Sequence, residues 1–513
     1  MQVLKKESWQ ICFLLVLAFI LTLSSGVNAA DLEAPEITNT PRLDTIVTNE
    51  RPLLSIFNSP AGGEGPRNYI FQIDTSPDFD SPDLIEYRVP ETPGEEGKYY
   101  SEPRVTSKRV EPGDELEDET VYYWRARLVD AEGKMSPWGS EAGGIVPRFQ
   151  VDLGSNDSFA EVVRTPIKEI SSSHGMGSDN IIPAMIPGDY WKGYSSQNEY
   201  WVKIELEEKE EITKIWQLSQ RIQLSGRLKD YVWQYSTDGE TWKEIEETRV
   251  EGSDAFRAVK DIDTVEARFL RLLISDWHGP VPKINEIALY SPGMPEVPEA
   301  PSSPYVLVVG NQFDGTGYGN IVPMVEGAGL GLETLVVPYY EVNPQMIAEL
   351  DKEPTAIILS GFSRWYENIP MFEFNGEFEL IRDEEDIPIL GICGGHQLMV
   401  MAHGYTFARD MGRGIYTHEL HDLDDLYPVS IEKEDPIFDG LPDPFYAAEF
   451  HGWDVVTIPE NYEVLGVSDW MGNEIIRDRE RMVYGMQYHG EVNLPFNVGR
   501  MTKINFLRMA VDK

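Results

Sequence analysis

The thirteen residues "PGMPEVPEAPSSP" (292–304) contain five prolines and divide the chain into two parts that cannot fold alike. Fixed φ angles and missing amide donors at that density exclude a helix or an inner strand and make a stiff, extended linker. Before the linker, apolar residues alternate in short runs bounded by Pro, Gly and Asp. In "RNYIFQID", Tyr69, Phe71 and Ile73 alternate with Asn68, Ile70 and Gln72, and in "TVYYWRARLVD" Tyr122, Trp124, Ala126 and Leu128 form one apolar face. Period two with turn residues between the runs predicts antiparallel strands. After the linker, "PYVLVVG" (304–310), "TLVVPY" (334–339), "TAIILSG" (355–361) and "PILGIC" (388–393) are continuous Val, Ile and Leu runs separated by helix-length stretches. That pattern predicts a parallel sheet covered by helices on both faces.

The first thirty residues set the chemistry available to the rest. Lys5 and Lys6 precede an apolar run from Ile11 to Leu23, and Val27 and Ala29 stand at the cleavage positions of a secretory signal peptide over residues 1–30. The run is shorter than the roughly 20 residues that span a bilayer, so no membrane span is expected after cleavage. Cys12 would leave with the signal. Cys393 would then be the one thiol of a secreted, periplasmic or cell-surface protein, with no partner for an internal disulfide and no cysteine at the cleavage site to carry lipid. The remaining length, at roughly 100–200 residues per domain, suggests about three domains. A formal charge of −44 repels phosphate backbones, which excludes nucleic acid as a partner, and its even spread reads as solubility.

Residues 31–152 resemble a fibronectin type III or immunoglobulin-like β-sandwich, with Trp124 in its core and a spacer or docking role. In residues 153–291, "YWVKIELEEKEEITKIWQL", "LKDYVWQYSTDGETWKEI" and "ARFLRLLISDWHGPVPKINEIALYS" resemble the discoidin, or coagulation factor type C, jelly roll in order and spacing. Asp238-Gly239 is a hairpin-turn pair, Trp242 follows where a strand would bury it, and Phe269, Leu270, Leu272 and Ile274 suit a sandwich strand. The resemblance implies a domain that binds glycans or other surface ligands through loops at one end, sometimes with a structural calcium ion. Tyr190, Trp191, Trp277 and His278, beside Gly and Pro, are the candidate ligand contacts; the alternative is that the tryptophans close the barrel ends as core.

In "IPILGICGGHQLMVMAHG" (387–404) Cys393 falls at the carboxyl end of a strand, where reactive groups of parallel sheets gather. Leu398, Met399 and Ala402 repeat at helical spacing, and Gly404 can end the helix. A strand, a sharp turn holding the nucleophile and a helix form an elbow, and Gly391, Gly394 and Gly395 let the backbone turn tightly. A helix N-terminus favours a thiolate, and the Gly394 amide points where an oxyanion would develop.

With "AIILSG", "EFHGWDVVTIPENYEVLG" and "YGMQYHGE", this stretch makes residues 305–513 similar to the class I glutamine amidotransferases, and among them to the glutaminase half of GMP synthetase. The resemblance assigns the nucleophile to Cys393, the base to His489 and the orienting carboxylate to Glu491. His489 would take the thiol proton and later protonate leaving ammonia, and water would hydrolyse a γ-glutamyl thioester, with no metal or organic cofactor. Gly394 and Gly361 would supply oxyanion donors, and Gln397, Phe362 and His451 would line or support the substrate pocket. Two positions depart from the family. Ser360-Gly361-Phe362-Ser363 replaces the usual Ser-Gly-Gly-Pro, and Gly490 replaces the proline between histidine and glutamate, which loosens that turn.

The remaining motifs read as structural. His396, His403, His418 and His421 lack metal-ligand spacing, and "HELHDLDD" (418–425) reads as a solvated acidic loop. "GTGYG" (315–319) lacks the spacing of a dinucleotide loop and would border the pocket. The sequence therefore predicts two all-β sandwiches followed by an α/β amidotransferase-like domain. Its expected function is an exported amidohydrolase acting on glutamine, a γ-glutamyl bond or another carboxamide, held by its β modules near a cell-surface or matrix glycan. The second reading is a non-catalytic surface carbohydrate-binding or adhesion protein whose amidotransferase-like domain is silent.

Overall fold

A computed structural model describes residues 32–37, 45–47, 50–59, 65–92, 105–117, 120–139, 146–151, 162–177, 190–194, 197–220, 224–312, 315–362, 370–404, 407–409, 415–416, 426–455, 458–468 and 472–513. The signal-peptide segment, Ser363 and the 418–425 loop lie outside these residues. Among the described residues no helix is long and apolar enough to cross a membrane, and no group of three or more His, Cys, Asp or Glu side chains is placed to hold a metal ion.

The alternating runs of the first part form two sheets. One contains Leu53–Phe57 between Glu36–Ile37 and Val105–Arg109; the other orders Thr45–Val47, Arg148–Val151, Val121–Val129, Asn68–Asp74 and Ile85–Pro90. Tyr69, Phe71, Ile73, Trp124, Ala126 and Leu128 are fully buried against Leu54 and Ile56 of the facing sheet, so alternate positions do make the core. Arg125, from the opposite face of its strand, lies between the rings of Phe79 and Trp138, 3.8 Å and 4.1 Å from their centroids.

The second part is a nine-stranded antiparallel sheet. Its two longest strands, Tyr200–Ser219 and Arg257–Trp277, pair from Tyr200↔Ile274 to Leu218↔Arg257. Register shifts at Glu205/Glu210 and Ile212/Lys214 bend that ladder, and bulges of this kind let one sheet curl around a core. Trp191, Tyr200, Trp233, Leu270, Leu272 and Ile274 fill the interior. Asp238-Gly239 forms the expected turn, with Gly239 at φ +76°. Trp242 is only half-buried, because it lies outside the core under the Arg271 guanidinium, 4.2 Å from its ring centroid.

Beyond the extended linker, Tyr305–Gly310, Glu333–Pro338, Ala356–Leu359 and Ile389–Ile392 are parallel strands, as their apolar runs require. Val483–Met486 continues the parallel set beside Ile389–Ile392, and antiparallel strands extend the sheet beyond it to nine. Apolar clusters pack on both faces.

The linker does not hold the jelly roll away from this sheet. Phe372 is buried in a cluster with Trp216, Leu218, Phe256 and Tyr290. Beside it the Glu373 carboxylate, fully buried, takes hydrogen bonds from Arg164 Nε at 2.6 Å, Tyr290 Oη at 2.6 Å and Tyr339 Oη at 2.7 Å. Arg164 and Tyr290 belong to the jelly roll, Glu373 and Tyr339 to the α/β part. Ring contacts then continue inward, Tyr339 stacked on Phe374 with centroids 4.2 Å apart and Phe374 tilted against Phe362 at 6.0 Å.

Candidate active site

Cys393 sits between the strand Ile389–Ile392 and the helix Gly394–Ala402 with φ +53° and ψ −104°, a left-handed-side conformation costly for a residue with a side chain. Such a strain places a thiol at the tip of a turn. The turn is possible because Gly391 and Gly395 have no side chains: a Cβ on Gly391 would lie 2.6 Å from the Gly395 carbonyl carbon, and one on Gly395 would lie 2.4 Å from the Leu359 carbonyl oxygen. The helix ends at Gly404 with φ +69°, as its position predicts.

Gly361 lies directly over the nucleophile. A Cβ there would lie 3.2 Å from Cys393 Cβ, 3.6 Å from Sγ and 3.4 Å from His489 Cε1, so thiol, imidazole and this glycine converge on one point. His489 Nδ1 stands 2.6 Å from Glu491 Oε1, and the Cys393 side chain lies on the other side of the ring, beside Gly361. Burial opposes the imidazolium, but the Glu491 carboxylate and the thiol outweigh it and raise the His489 pKa well above its ordinary value. Glu491 stays below the usual carboxylate range despite its burial, because His489 faces it. Cys393, His489 and Glu491 are therefore brought together from positions almost a hundred residues apart.

The Ser360-Gly361 segment is held from behind. The Asn311 amide N–H donates to Ser360 Oγ at 2.9 Å, and its Nδ2 donates to the Ser360 carbonyl at 2.9 Å and to Glu377 Oε1 at 3.2 Å. Burial pushes Glu377 up to about 8, so it is neutral near pH 7. The 315–319 loop closes the same wall, with a Cβ on Gly317 falling 3.1 Å from the Gly361 carbonyl oxygen. Phe362 is half-buried and lies on the nucleophile turn: a Cβ on Gly394 would be 2.3 Å from its ring and 2.8 Å from its amide nitrogen. Gln397 is buried and donates through Nε2 to the Trp453 carbonyl at 2.8 Å and to Gln487 Oε1 at 3.1 Å.

His451 is buried, with Nδ1 3.2 Å from the Trp453 carbonyl and Nε2 3.0 Å from Glu449, and belongs to the wall. Two expectations need correction. Gly490 does not loosen its turn: a Cβ there would lie 2.6 Å from the Gly499 carbonyl oxygen and 2.8 Å from Lys503 Nζ, so its bareness makes room for close packing. In the jelly roll, Trp191 is fully buried, edge-on to Tyr200 with ring centroids 5.9 Å apart, and is core rather than a ligand contact.

The other jelly-roll candidates stay at the surface of one end. Tyr190 lies 5.1 Å under the Lys283 ammonium, Trp277 is half-buried beside Tyr200, and His278 Nε2 meets the Ser253 carbonyl at 2.8 Å. Sequence reasoning missed Asn311, Glu377 and Lys503 around the candidate active site. The one signal for Lys503 was a cation placed three and four residues before Phe506 and Leu507 on an otherwise inward-facing stripe.

Comparison with known proteins agrees with this architecture. The glutamine amidotransferase class I family model matches residues 323–509, and the F5/8 type C domain model matches residues 166–287. A glutamine-hydrolyzing GMP synthase component of Methanococcus maripaludis is 31% identical over 164 residues, which span 32% of this chain and 77% of the relative. The chain belongs to the class I glutamine amidotransferase family. The corresponding GMP synthase component of Pyrococcus abyssi is 33% identical over 167 residues, covering 32% of this chain and 78% of its own length. Among solved structures, the Clostridium perfringens module CpGH89CBM32-5, in complex with GalNAc-β-1,3-galactose, overlaps 25% of this chain and 99% of its own at 15% identity and a TM-score of 0.22. The amidotransferase match spans the Cys393 elbow, the Gly361 strand end and the His489–Glu491 pair; the type C match covers the jelly roll that docks on Phe372.

Proposed function

We propose that the chain is an exported amidohydrolase that hydrolyses glutamine, or a related γ-glutamyl or carboxamide bond, through a Cys393 thioester. The observation that carries this reading is the convergence of the Cys393 thiol, the His489 imidazole and Gly361 on one point, with Glu491 2.6 Å behind the imidazole. Cys393 attacks the amide carbon as His489 removes its proton; His489 returns that proton to the leaving ammonia and then activates water against the thioester. Gly361 and Gly394 border the place where the oxyanion forms. The name of these relatives, glutamine-hydrolyzing GMP synthases, supports glutamine as the first substrate to try. The N-terminal sandwich, read as fibronectin type III or immunoglobulin-like, and the jelly roll hold the catalytic domain at a surface glycan.

The test is ammonia release from glutamine, γ-glutamyl peptides and other carboxamides. Turnover by the unaltered chain and none by Cys393→Ala is the expected result; no turnover of any of these compounds would sink the enzymatic reading.

One observation favours the second reading, a surface carbohydrate-binding protein with a silent amidotransferase-like domain. The Phe362 ring lies against Gly394, where the family's usual glycine would leave open space. A glycan array probed with the full chain tests the binding half of both readings. The expected result is retention of a glycan that Trp277→Ala loses, since an aromatic face beside hydrogen-bonding groups is what stacks on a sugar ring. An array with no retained glycan would remove the surface-binding role.

A further inference from the structure

Lys503 projects from the C-terminal helix Arg500–Asp512 into the protein and has no solvent exposure. Its ammonium donates to the Tyr488 carbonyl at 3.1 Å and lies 3.5 Å from the Tyr488 ring centroid, against the turn that carries His489 and Glu491. The space it fills exists because residue 490 is glycine, whose Cβ would otherwise stand 2.8 Å from Nζ. Buried ammonium groups are expensive unless paired, so this one must be stabilised by its surroundings.

The Lys503 charge is favoured by Glu449, by Glu474 in the turn before the strand Ile475–Asp478, and by Glu491 and Cys393, while Tyr488 is in direct contact with it; His451, paired with Glu449, and His396 and His489 are the other titratable groups of this region. Burial brings the Lys503 ammonium down to about 7 even though Glu491, Glu449, Glu474 and Cys393 all favour its charged form. Glu491 has a matching need. Its Oε1 is taken by His489, and among the described residues its buried Oε2 has no hydrogen-bond partner; after His489, the Lys503 charge is what favours its ionised form.

We propose that Lys503 is a positioning residue of the Cys393–His489–Glu491 triad, its ammonium occupying the room left by Gly490 and holding Glu491 as the carboxylate that orients His489. The inference rests on the triad reading above and assigns no contact with substrate. Without the cation, Glu491 keeps only His489 against burial and the charges of Glu449 and Glu474, and the cheapest relief is for it to take a proton. A protonated Glu491 no longer favours the imidazolium, and the thiolate that pairs with it is lost.

The test needs no substrate. Alkylation of Cys393 by iodoacetamide is followed across pH in the full chain and in Lys503→Met and Lys503→Gln, with thermal melting as the check on folding. The expected result is alkylation about tenfold slower near pH 7 in either folded variant, with the midpoint of the pH profile moved upward, as loss of about 1.4 kcal/mol of thiolate stabilisation requires. A lower melting temperature with an unchanged alkylation profile would overturn the proposal, because it makes Lys503 a structural residue only. Failure of both variants to fold overturns it in the same way. An unreactive Cys393 in the unaltered chain sinks the triad and this inference together, whereas a reactive one indifferent to Lys503 sinks the inference alone.

Discussion

Replacing His489 by alanine should lower amide hydrolysis by on the order of 10⁴- to 10⁶-fold, the loss seen when one member of a nucleophile–base unit is removed. The size follows from the two roles proposed for the imidazole, base toward the thiol and acid toward the departing nitrogen. Glu491→Gln should cost less, roughly 10²- to 10⁴-fold, because it disturbs the tautomer and the imidazolium without deleting the proton carrier. Initial rates of ammonia release at saturating substrate would measure both. A His489→Ala variant within tenfold of the unaltered chain would refute the assignment of the base. The pair also fixes a pH signature of stability. His489 has a raised pKa in the fold, so its contribution is complete below its unfolded value near 6.5 and disappears as pH rises through the folded value. The lowered pKa of Glu491 works in the opposite direction, with a contribution present at neutral pH and lost as pH falls through its folded value.

Glu373→Ala should destabilise the contact between the jelly roll and the α/β domain by about 3–5 kcal/mol, the cost of removing one partner from a buried ion pair. The loss is large because Glu373 is fully buried and gathers Arg164, Tyr290 and Tyr339 from both sides of the junction. Tyr290→Phe, which deletes one of those hydrogen bonds and keeps the ring against Phe372, should cost about 1 kcal/mol. Urea unfolding followed by tryptophan fluorescence would report the change, since Trp216 lies in the junction cluster. A Glu373→Ala midpoint equal to that of the unaltered chain would show that the two domains are not held by this network. The same element carries Phe374 toward Phe362, so a loosened junction is also expected to disturb the ring that covers Gly394.

The parts of this protein legible in its sequence are those set by local periodicity. Alternation in 68–74 and 121–129 placed the buried faces of two strands, and four apolar runs beyond the linker placed four parallel strands, because side-chain direction within a strand depends only on neighbours along the chain. The Cys393 turn was legible for a similar reason: closely spaced glycines next to a strand end permit a backbone path that few other sequences can take. Of the two readings open for Trp191 the structure selects core; the sequence left both because a tryptophan beside glycine looks the same from its neighbours whether the ring points in or out. The partners of His451 were not legible, because Glu449 and the Trp453 carbonyl meet its two nitrogens only in the fold.

By itself the sequence determined the order of its structural classes, the position of the elbow and the identity of Cys393, His489 and Glu491 as the residues the fold brings together. Tertiary structure alone decided that Arg164 meets Glu373 across 209 positions, that Gly490 is bare to admit Lys503, and that Glu377 backs the Ser360-Gly361 wall. Each of these is a charged or titratable group taken out of water. Whether such a group is tolerated depends on partners brought in by the fold from far along the chain, and no local pattern encodes that meeting.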